Sequence, residues 1–254
     1  MMIKIIFFQA HPDDLEFYCF HLLYYISKRS KREYEIKIAS LTRGEYGWPK
    51  HAEHFKGERL GKLRTQELYN AMKTYGLTSE KIHFFEIIDG FVHFNKKIVE
   101  IVKDYLNKEK PDIIFACEPR NTYYRHPDHM NTGKIVYYLL DKGQIDFGTI
   151  KPKLYFYGSI ASNFFWPFKK EDKHLAYKAM YIHKSQAHIW KATKSLYEIL
   201  MRVYGSRIKG WKYAEGYRRV YYGNEKYKNK KLKFSGRLFL LLNVKLWPEK
   251  ITRH

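Results

Sequence analysis

Apolar positions follow two rhythms along this chain. Residues 3–9 (IKIIFFQ) form a near-continuous apolar run of β-branched and aromatic side chains, the pattern of a strand buried on both faces of a parallel sheet. Runs at 35–41 (EIKIASL), 81–88, 111–117 (PDIIFAC) and 152–157 predict four further strands. Between them the period lengthens to that of a helix, at 15–27, 59–75, 96–107 and 128–141. In the second of these, Leu60, Leu63, Leu68, Ala71 and Met72 share one side, and Gly76 follows as a C-terminal cap.

The alternation of strand and helix predicts an α/β fold. It implies a single Rossmann-like domain whose mostly parallel sheet carries helices on both faces, with functional loops beyond the carboxyl ends of the strands. A helical pattern also runs from 171 to 201, and from about residue 205 the chain becomes basic, rich in Tyr and Lys, and without clear period. No linker, repeat or low-complexity tract divides it, so residues 1–254 read as one domain.

Two of those loops carry the candidate chemistry. His11, Pro12, Asp13 and Asp14 stand where the first strand should stop, and His126, Pro127, Asp128 and His129 follow the fourth. A catalytic zinc site needs three nitrogen or oxygen ligands and an open position for water. Two ligands from the first loop and one from the second would supply it. Alone, HPDD also reads as an ordinary helix-capping turn and HPDH as a coincidental loop, and their recurrence at two strand ends favours a metal. Asp128 has two readings, a partner for a ligand imidazole or a cap for the next helix.

Charge adds a second theme. Lys and Arg number 47 against 26 Asp and Glu, a formal net charge of +21. Such a balance fits nucleic acid, an anionic surface, or simply a soluble Lys-rich exterior. Lys226, Lys228, Lys230, Lys231, Lys233 and Arg237 crowd a late segment away from both motifs, which suits an anionic substrate or a membrane surface better than nucleic acid. Cys19 and Cys117 are the only cysteines and lie in apolar stretches, which argues against a disulfide framework or a cysteine-based zinc site and for the reducing cytoplasm. The apolar start of the chain reads as too short for a signal sequence. No stretch approaches the ~20 apolar residues of a membrane span; residues 238–244 (LFLLLNV) suit at most peripheral membrane contact or a core.

The ordered motifs resemble the LmbE-like (PIG-L) family of N-deacetylases, which act on N-acetylglucosaminyl-phosphatidylinositol, mycothiol and bacillithiol precursors, and diacetylchitobiose. Ala10 to Asp14 matches its AHPDD motif and His126 to His129 its HPDH motif. Thr42, Gly44, Glu45 and Gly47 match TxGExG; Arg64, Glu67, Ala71 and Gly76 match its RxxE helix; HKSQ stands at 183–186 and an AE pair at Ala214 and Glu215. The resemblance implies that His11, Asp14 and His129 hold Zn2+ or another divalent ion. It implies Asp13 as the general base for the attacking water, and His126 as the imidazole that stabilises the oxyanion and protonates the departing amine. It places Arg64, Tyr124 and His183 toward the substrate, with Tyr123 beside Tyr124 as a competitor for that role. His183 also reads as a helix-start residue bonded to backbone, and Asp89-Gly90 as a turn. Trp48, His51 and His54 are candidate sugar contacts.

The expected activity is removal of an acetyl group from an N-acetylated sugar, an anionic or lipid-linked glycan suiting the basic late segment. A basic nucleic-acid- or glycan-binding protein and a catalytically retired sugar-binding relative are the alternatives. The intact Asp13 argues against retirement. The irregular late segment is also a candidate homo-oligomer interface.

Overall fold

A computed structural model describes residues 2–29, 33–47, 55–148, 151–231 and 237. The first apolar run forms β1 (Ile3–Gln9), whose last five residues are buried. It pairs in parallel with β2 (Tyr34–Ser40) on one side and β4 (Ile113–Cys117) on the other. β3 (Ile82–Phe84) adds to β2 and β5 (Lys153–Tyr157) to β4, again in parallel. Two antiparallel strands complete the sheet, β6 (Phe164–Phe168) and β7 (Tyr213–Val220), in the order β3-β2-β1-β4-β5-β7-β6.

Helices cover both faces. α1 (Asp14–Tyr18), α2 (Phe20–Arg29), α3 (Glu58–Thr74) and α6 (Lys173–Ile182) close one core around Phe7, Leu15, Leu23, Leu68 and Phe115. α4 (Lys96–Glu109) and α5 (Pro127–Asp141) close the other around Ile6, Phe8, Val102, Ile114 and Leu139. A third cluster joins α6 and α7 (Ala187–Gly205) to β6 and β7 through Trp190, Met201, Tyr204 and Tyr213. The chain adds β2 and β3 on one side of β1 and then returns to place β4 on the other. This reversal opens a crevice beyond the carboxyl ends of β1 and β4. Both HP motifs emerge into it.

The structure redraws several expected boundaries. The helix expected at 15–27 breaks at Cys19, where φ is −133°, into α1 and α2. The strand expected at 81–88 pairs regularly for only three residues, after which the extended chain keeps single bonds from Phe85 N to Ser40 O and from Ile87 N to Leu41 O. The helix expected through 201 is interrupted at His183. The segment after 205 is not irregular throughout, because its Tyr213–Val220 stretch is a strand of the sheet, lying between β5 and the edge strand β6. β6 is not among the expected strands. Its FFWPF sequence is aromatic enough for one, and Pro167 is tolerated because β6 lies at the sheet edge. Among the described residues no helix is long and apolar enough to cross a membrane. Trp48, His51, His54, Lys233 and residues 238–244 lie outside the described residues.

Candidate metal centre

Asp13 leaves β1 in a strained backbone conformation, with φ 120° and ψ −18°. A non-glycine residue there costs roughly 1–3 kcal/mol, a cost usually found at functional sites. Asp13 precedes α1 but its carboxylate does not cap it, so the turn is not an ordinary capping turn. Arg64 holds it instead: one guanidinium nitrogen donates to Pro12 O at 2.7 Å and to Asp13 Oδ1 at 3.0 Å, and a second to Gly44 O at 3.1 Å. Gly44 and Gly47 of the TxGExG loop make this fit, since a Cβ at either would stand 2.5 or 2.3 Å from that guanidinium. Arg64 is 3% exposed and so faces Asp13 rather than an open substrate end.

The ligand cluster sits beside it. His129 Nε2 lies 3.0 Å from His11 Nδ1 and 3.2 Å from Asp14 Oδ1. Ligand atoms about 2.0–2.1 Å from one tetrahedral zinc stand roughly 3.3 Å apart, so each of these two separations fits a pair of donors on one ion. The trios whose donor atoms all lie within 4.8 Å of one another are His11, His126 and His129; Asp14, Cys117 and His129; and His11, Asp89 and Asp128. Asp14 turns its other oxygen inward to accept from Ala10 N at 2.9 Å and His11 N at 3.1 Å, which fixes its orientation. The donor types therefore suit a small divalent cation, with His129 at close range to both His11 and Asp14.

Behind His11 stand two carboxylates. His11 Nε2 lies 2.9 Å from Asp89 Oδ1 and 3.3 Å from Asp128 Oδ2. A carboxylate on the far nitrogen sets the imidazole's tautomer and makes the near nitrogen a better donor. Asp89 is itself anchored by Tyr46 N, and Asp128 by Gly90 N and Val92 N. Of the two readings of Asp128, the imidazole partner is the one realised. Burial opposes charge on His11, yet these carboxylates and Asp14 raise its pKa well above the usual value. Asp89 and Asp128 are held below the usual carboxylate range despite burial, chiefly by His11. Burial pushes the Asp13 carboxyl up, against the pull of Arg64 and His183.

His126, rather than Asp128, caps α5, its Nδ1 accepting from Asp128 N at 3.2 Å. That bond leaves the ring proton on Nε2. Burial, then the neighbouring His11 and His129, lowers its pKa to about 3, so His126 is a neutral donor. Its ring centroid stands 4.8 Å from that of His11 and 5.3 Å from that of His129. Tyr124 lies at the rim, 43% exposed, with its ring 5.4 Å from His129. Tyr123 instead packs against Tyr18.

The other motifs build the wall. His183 joins α6 to α7 and is 1% exposed, its Nε2 3.2 Å from Glu16 Oε2, so it stands behind the site rather than lining an open pocket. Two residues on, Ser185 donates from its backbone N–H and hydroxyl to Glu67 on α3, at 2.8 and 2.6 Å. Glu215 on β7 accepts from His21 N and Leu22 N at 2.7 and 2.9 Å, capping α2 from across the fold.

The sequence profile of the PIG-L family, described as GlcNAc-PI de-N-acetylase, matches residues 6–140, more than half of the chain. The chain belongs to the PIG-L family. No curated protein matches it significantly. Among solved structures, N,N'-diacetylchitobiose deacetylase from Pyrococcus horikoshii superposes with a TM-score of 0.74 at 23% identity, over 85% of this chain and 83% of that one. The conserved protein TT1542 from Thermus thermophilus gives 0.68 at 21%, over 88% and 98%. GalB, a 4-carboxy-2-hydroxymuconate hydratase from Pseudomonas putida, gives 0.65 at 16%, over 91% and 100%. At these identities the likeness establishes the fold. The hydratase shows that this PIG-L-like fold serves more than one chemistry.

Two residues of this PIG-L site escape the sequence pattern. Asp89 reads there as part of a turn, although it follows a strand end just as Asp13 and Asp14 do. Cys117 carries no metal signal because cysteines are few, yet it ends β4, and the register Phe7↔Phe115 carries it level with Gln9, beside the metal cluster. Strand-end position is the signal that flags both.

Proposed function

We propose that this protein is a metal-dependent hydrolase that removes the acetyl group from an N-acetylated sugar. The observation that carries the reading is the juxtaposition of a His11, Asp14 and His129 ligand cluster with Asp13, a buried carboxylate held in a strained backbone by Arg64. Zn2+ is the ion that best suits imidazole and carboxylate donors, other divalent ions being acceptable to the same set. When bound, such an ion supplies Lewis acidity, acidifying a water and polarising an amide carbonyl.

The chain's own groups divide the remaining work. Asp13 accepts a proton from the attacking water, and its upward-shifted pKa makes it a better base near neutral pH than an exposed aspartate. His126 offers its Nε2 hydrogen to the acetyl oxygen as that oxygen gains charge, a contribution of the oxyanion-hole type. The proton gained by Asp13 is then available to the departing amine, a role that the family resemblance gives to His126. Arg64 positions Asp13 and tempers its charge. His183 acts on the base from behind. Tyr124 is the one of the three expected substrate residues whose side chain reaches the solvent edge, so it is assigned to the sugar.

The substrate assigned is an anionic or lipid-linked N-acetylglucosamine conjugate, supported by the net charge of +21. Lys226, Lys228, Lys230 and Lys231 follow β7 where it leaves the sheet beside the start of β5, at the end opposite the metal centre, and are assigned to an anionic surface rather than to the reacting sugar. Action at a cytoplasmic membrane surface follows from the same charges and belongs to the same proposal. The deciding experiment measures acetate release from a panel of N-acetylglucosamine conjugates after metal content is quantified, in wild type and Asp13→Ala. Turnover by the wild type and a loss of roughly 100-fold or more in the variant, with its metal retained, is expected. Wild-type protein that binds no metal, or binds it and releases no acetate from any conjugate, overturns the reading.

A further inference from the structure

The metal cluster has a soft neighbour. Cys117 Sγ, a carboxylate oxygen of Asp14 and a ring nitrogen of His129 lie mutually within 4.8 Å, and all three residues are buried. Cys117 is 2% exposed. Its sulfur lies 3.0 Å from Tyr157 Oη, and that hydroxyl gives its own hydrogen to Phe8 O at 2.8 Å. Tyr157 therefore takes the thiol hydrogen, and the sulfur faces the backbone N–H groups of Ala10 and Cys117, which favour its anionic form although burial pushes the thiol pKa up.

We propose that Asp14, Cys117 and His129 form a second, thiol-bearing metal seat that takes thiophilic divalent ions in competition with the hydrolytic seat of His11, Asp14 and His129. The inference rests on the metal-binding part of the proposed function. Both seats use Asp14 and His129, so an ion in one excludes an ion from the other. Two properties separate them. Thiolate is a soft ligand and prefers soft ions, whereas imidazole and carboxylate accept zinc and harder ions readily. A thiolate with a carboxylate also neutralises a divalent charge, whereas the His11 set supplies one negative charge. A neutral assembly is the cheaper one to keep buried. On binding, the thiol proton is released to solvent and the Tyr157 hydroxyl is free to turn from Phe8 O to the sulfur.

The consequence is a site whose ion is chosen by supply as well as by geometry. A thiophilic ion drawn toward Cys117 leaves His11 and would halt the hydrolytic arrangement without displacing the ion from the protein.

The test uses the full chain stripped of metal and titrated with Cd2+ alone, followed by the ultraviolet charge-transfer band of a cadmium thiolate. One Cd2+ per chain with that band is expected in wild type. Cys117→Ser is expected to abolish the band and weaken Cd2+ binding by at least roughly 10-fold, with Zn2+ binding kept. His11→Ala is expected to keep the band. Cys117→Ala, checked for a native circular dichroism spectrum, guards against a folding defect in the serine variant. Cd2+ bound without a band in wild type, unchanged Cd2+ affinity in both Cys117 variants, or a band lost only in Cys19→Ser would overturn the second seat. If Zn2+ binds in any of those cases, the hydrolytic metal reading survives. If neither ion binds the wild type, both readings fall.

Discussion

The parallel half of the sheet and its antiparallel edge do different work. Every residue assigned to metal or proton transfer leaves the carboxyl end of a parallel strand: His11, Asp13 and Asp14 after β1, Asp89 after β3, His126 and His129 after β4. The edge supplies none of them. Instead β7 contributes Glu215, which caps α2, and Arg218, which grips Glu118 with bonds of 2.6 and 2.8 Å. Glu118 in turn accepts from Arg120 N and Asn121 N, at the start of the loop that carries Tyr124 and His126. Chemistry and support are thus separable, and substitutions in the two regions should fail in different ways.

The largest expected effect lies in the parallel half. His129→Ala removes the donor shared by every arrangement of ligands around Asp14. Metal content should fall nearly to zero by elemental analysis, and acetate release to background, while the metal-free variant unfolds within about 1 kcal/mol of metal-free wild type. A variant that kept its metal would break the assignment of His129 as a ligand. At the edge the expected failure is of the opposite kind. Arg218→Ala leaves the Glu118 carboxylate buried without its cation, which should cost ~3 kcal/mol in urea denaturation. Its metal content should be unchanged, and activity at low temperature should fall less than for any ligand variant. If Arg218→Ala instead lost metal with its stability intact, the division between chemistry and support would be wrong.

The same division governs what is legible in the sequence. The parallel half announces itself because strands buried on both faces read as unbroken apolar runs, and because motifs at their carboxyl ends fall beside one another whenever the strands pair. His11 and His129 can therefore be joined across 118 positions from the motif pattern alone. The edge hides because β6 is a short aromatic strand left mostly half-buried, and β7 mixes buried tyrosine and glutamate with half-buried arginine. Tyr217 is fully buried with its hydroxyl on Glu215, and Glu215 is 1% exposed, so a strand of this kind has no apolar rhythm to find. Partners fixed only by tertiary contact are equally hidden. The family resemblance places Arg64 toward the substrate, and only the structure shows that its guanidinium also bonds Asp13 of the same chain. His183 reads either as a pocket residue or as a helix-start residue bonded to backbone, and the break between α6 and α7 brings its side chain to Glu16, a partner neither reading supplies.

A further expected effect, no larger than that of Arg218→Ala and spread over a pH range, is a dependence of stability on pH that originates in β7. Burial pushes the Glu215 carboxyl up to about 7, against the N–H groups of His21 and Leu22 and the Tyr217 hydroxyl, which favour the ionised form. Its unfolded value is that of an ordinary glutamate, about 4.3. Between those two values the native state binds more protons than the unfolded state, so this group makes stability fall as pH rises from about 4.5 to about 7 and then level off. The full amplitude is on the order of 3 kcal/mol, and other titrating groups are superimposed on it. Glu215→Gln cannot ionise, so the difference between wild type and variant isolates the term. The variant loses acceptor capacity toward α2 and carries a constant offset for that reason, but the offset has no pH dependence. Unfolding by urea at pH 5 and at pH 8 should therefore show wild type losing stability relative to Glu215→Gln as pH rises, with metal content equal in both. A difference that stayed flat across that range would mean that Glu215 is ionised throughout. The three hydrogen bonds it accepts would then outweigh its burial, and the support of α2 would be electrostatic, a carboxylate on a helix N-terminus, rather than a contact made by the neutral acid.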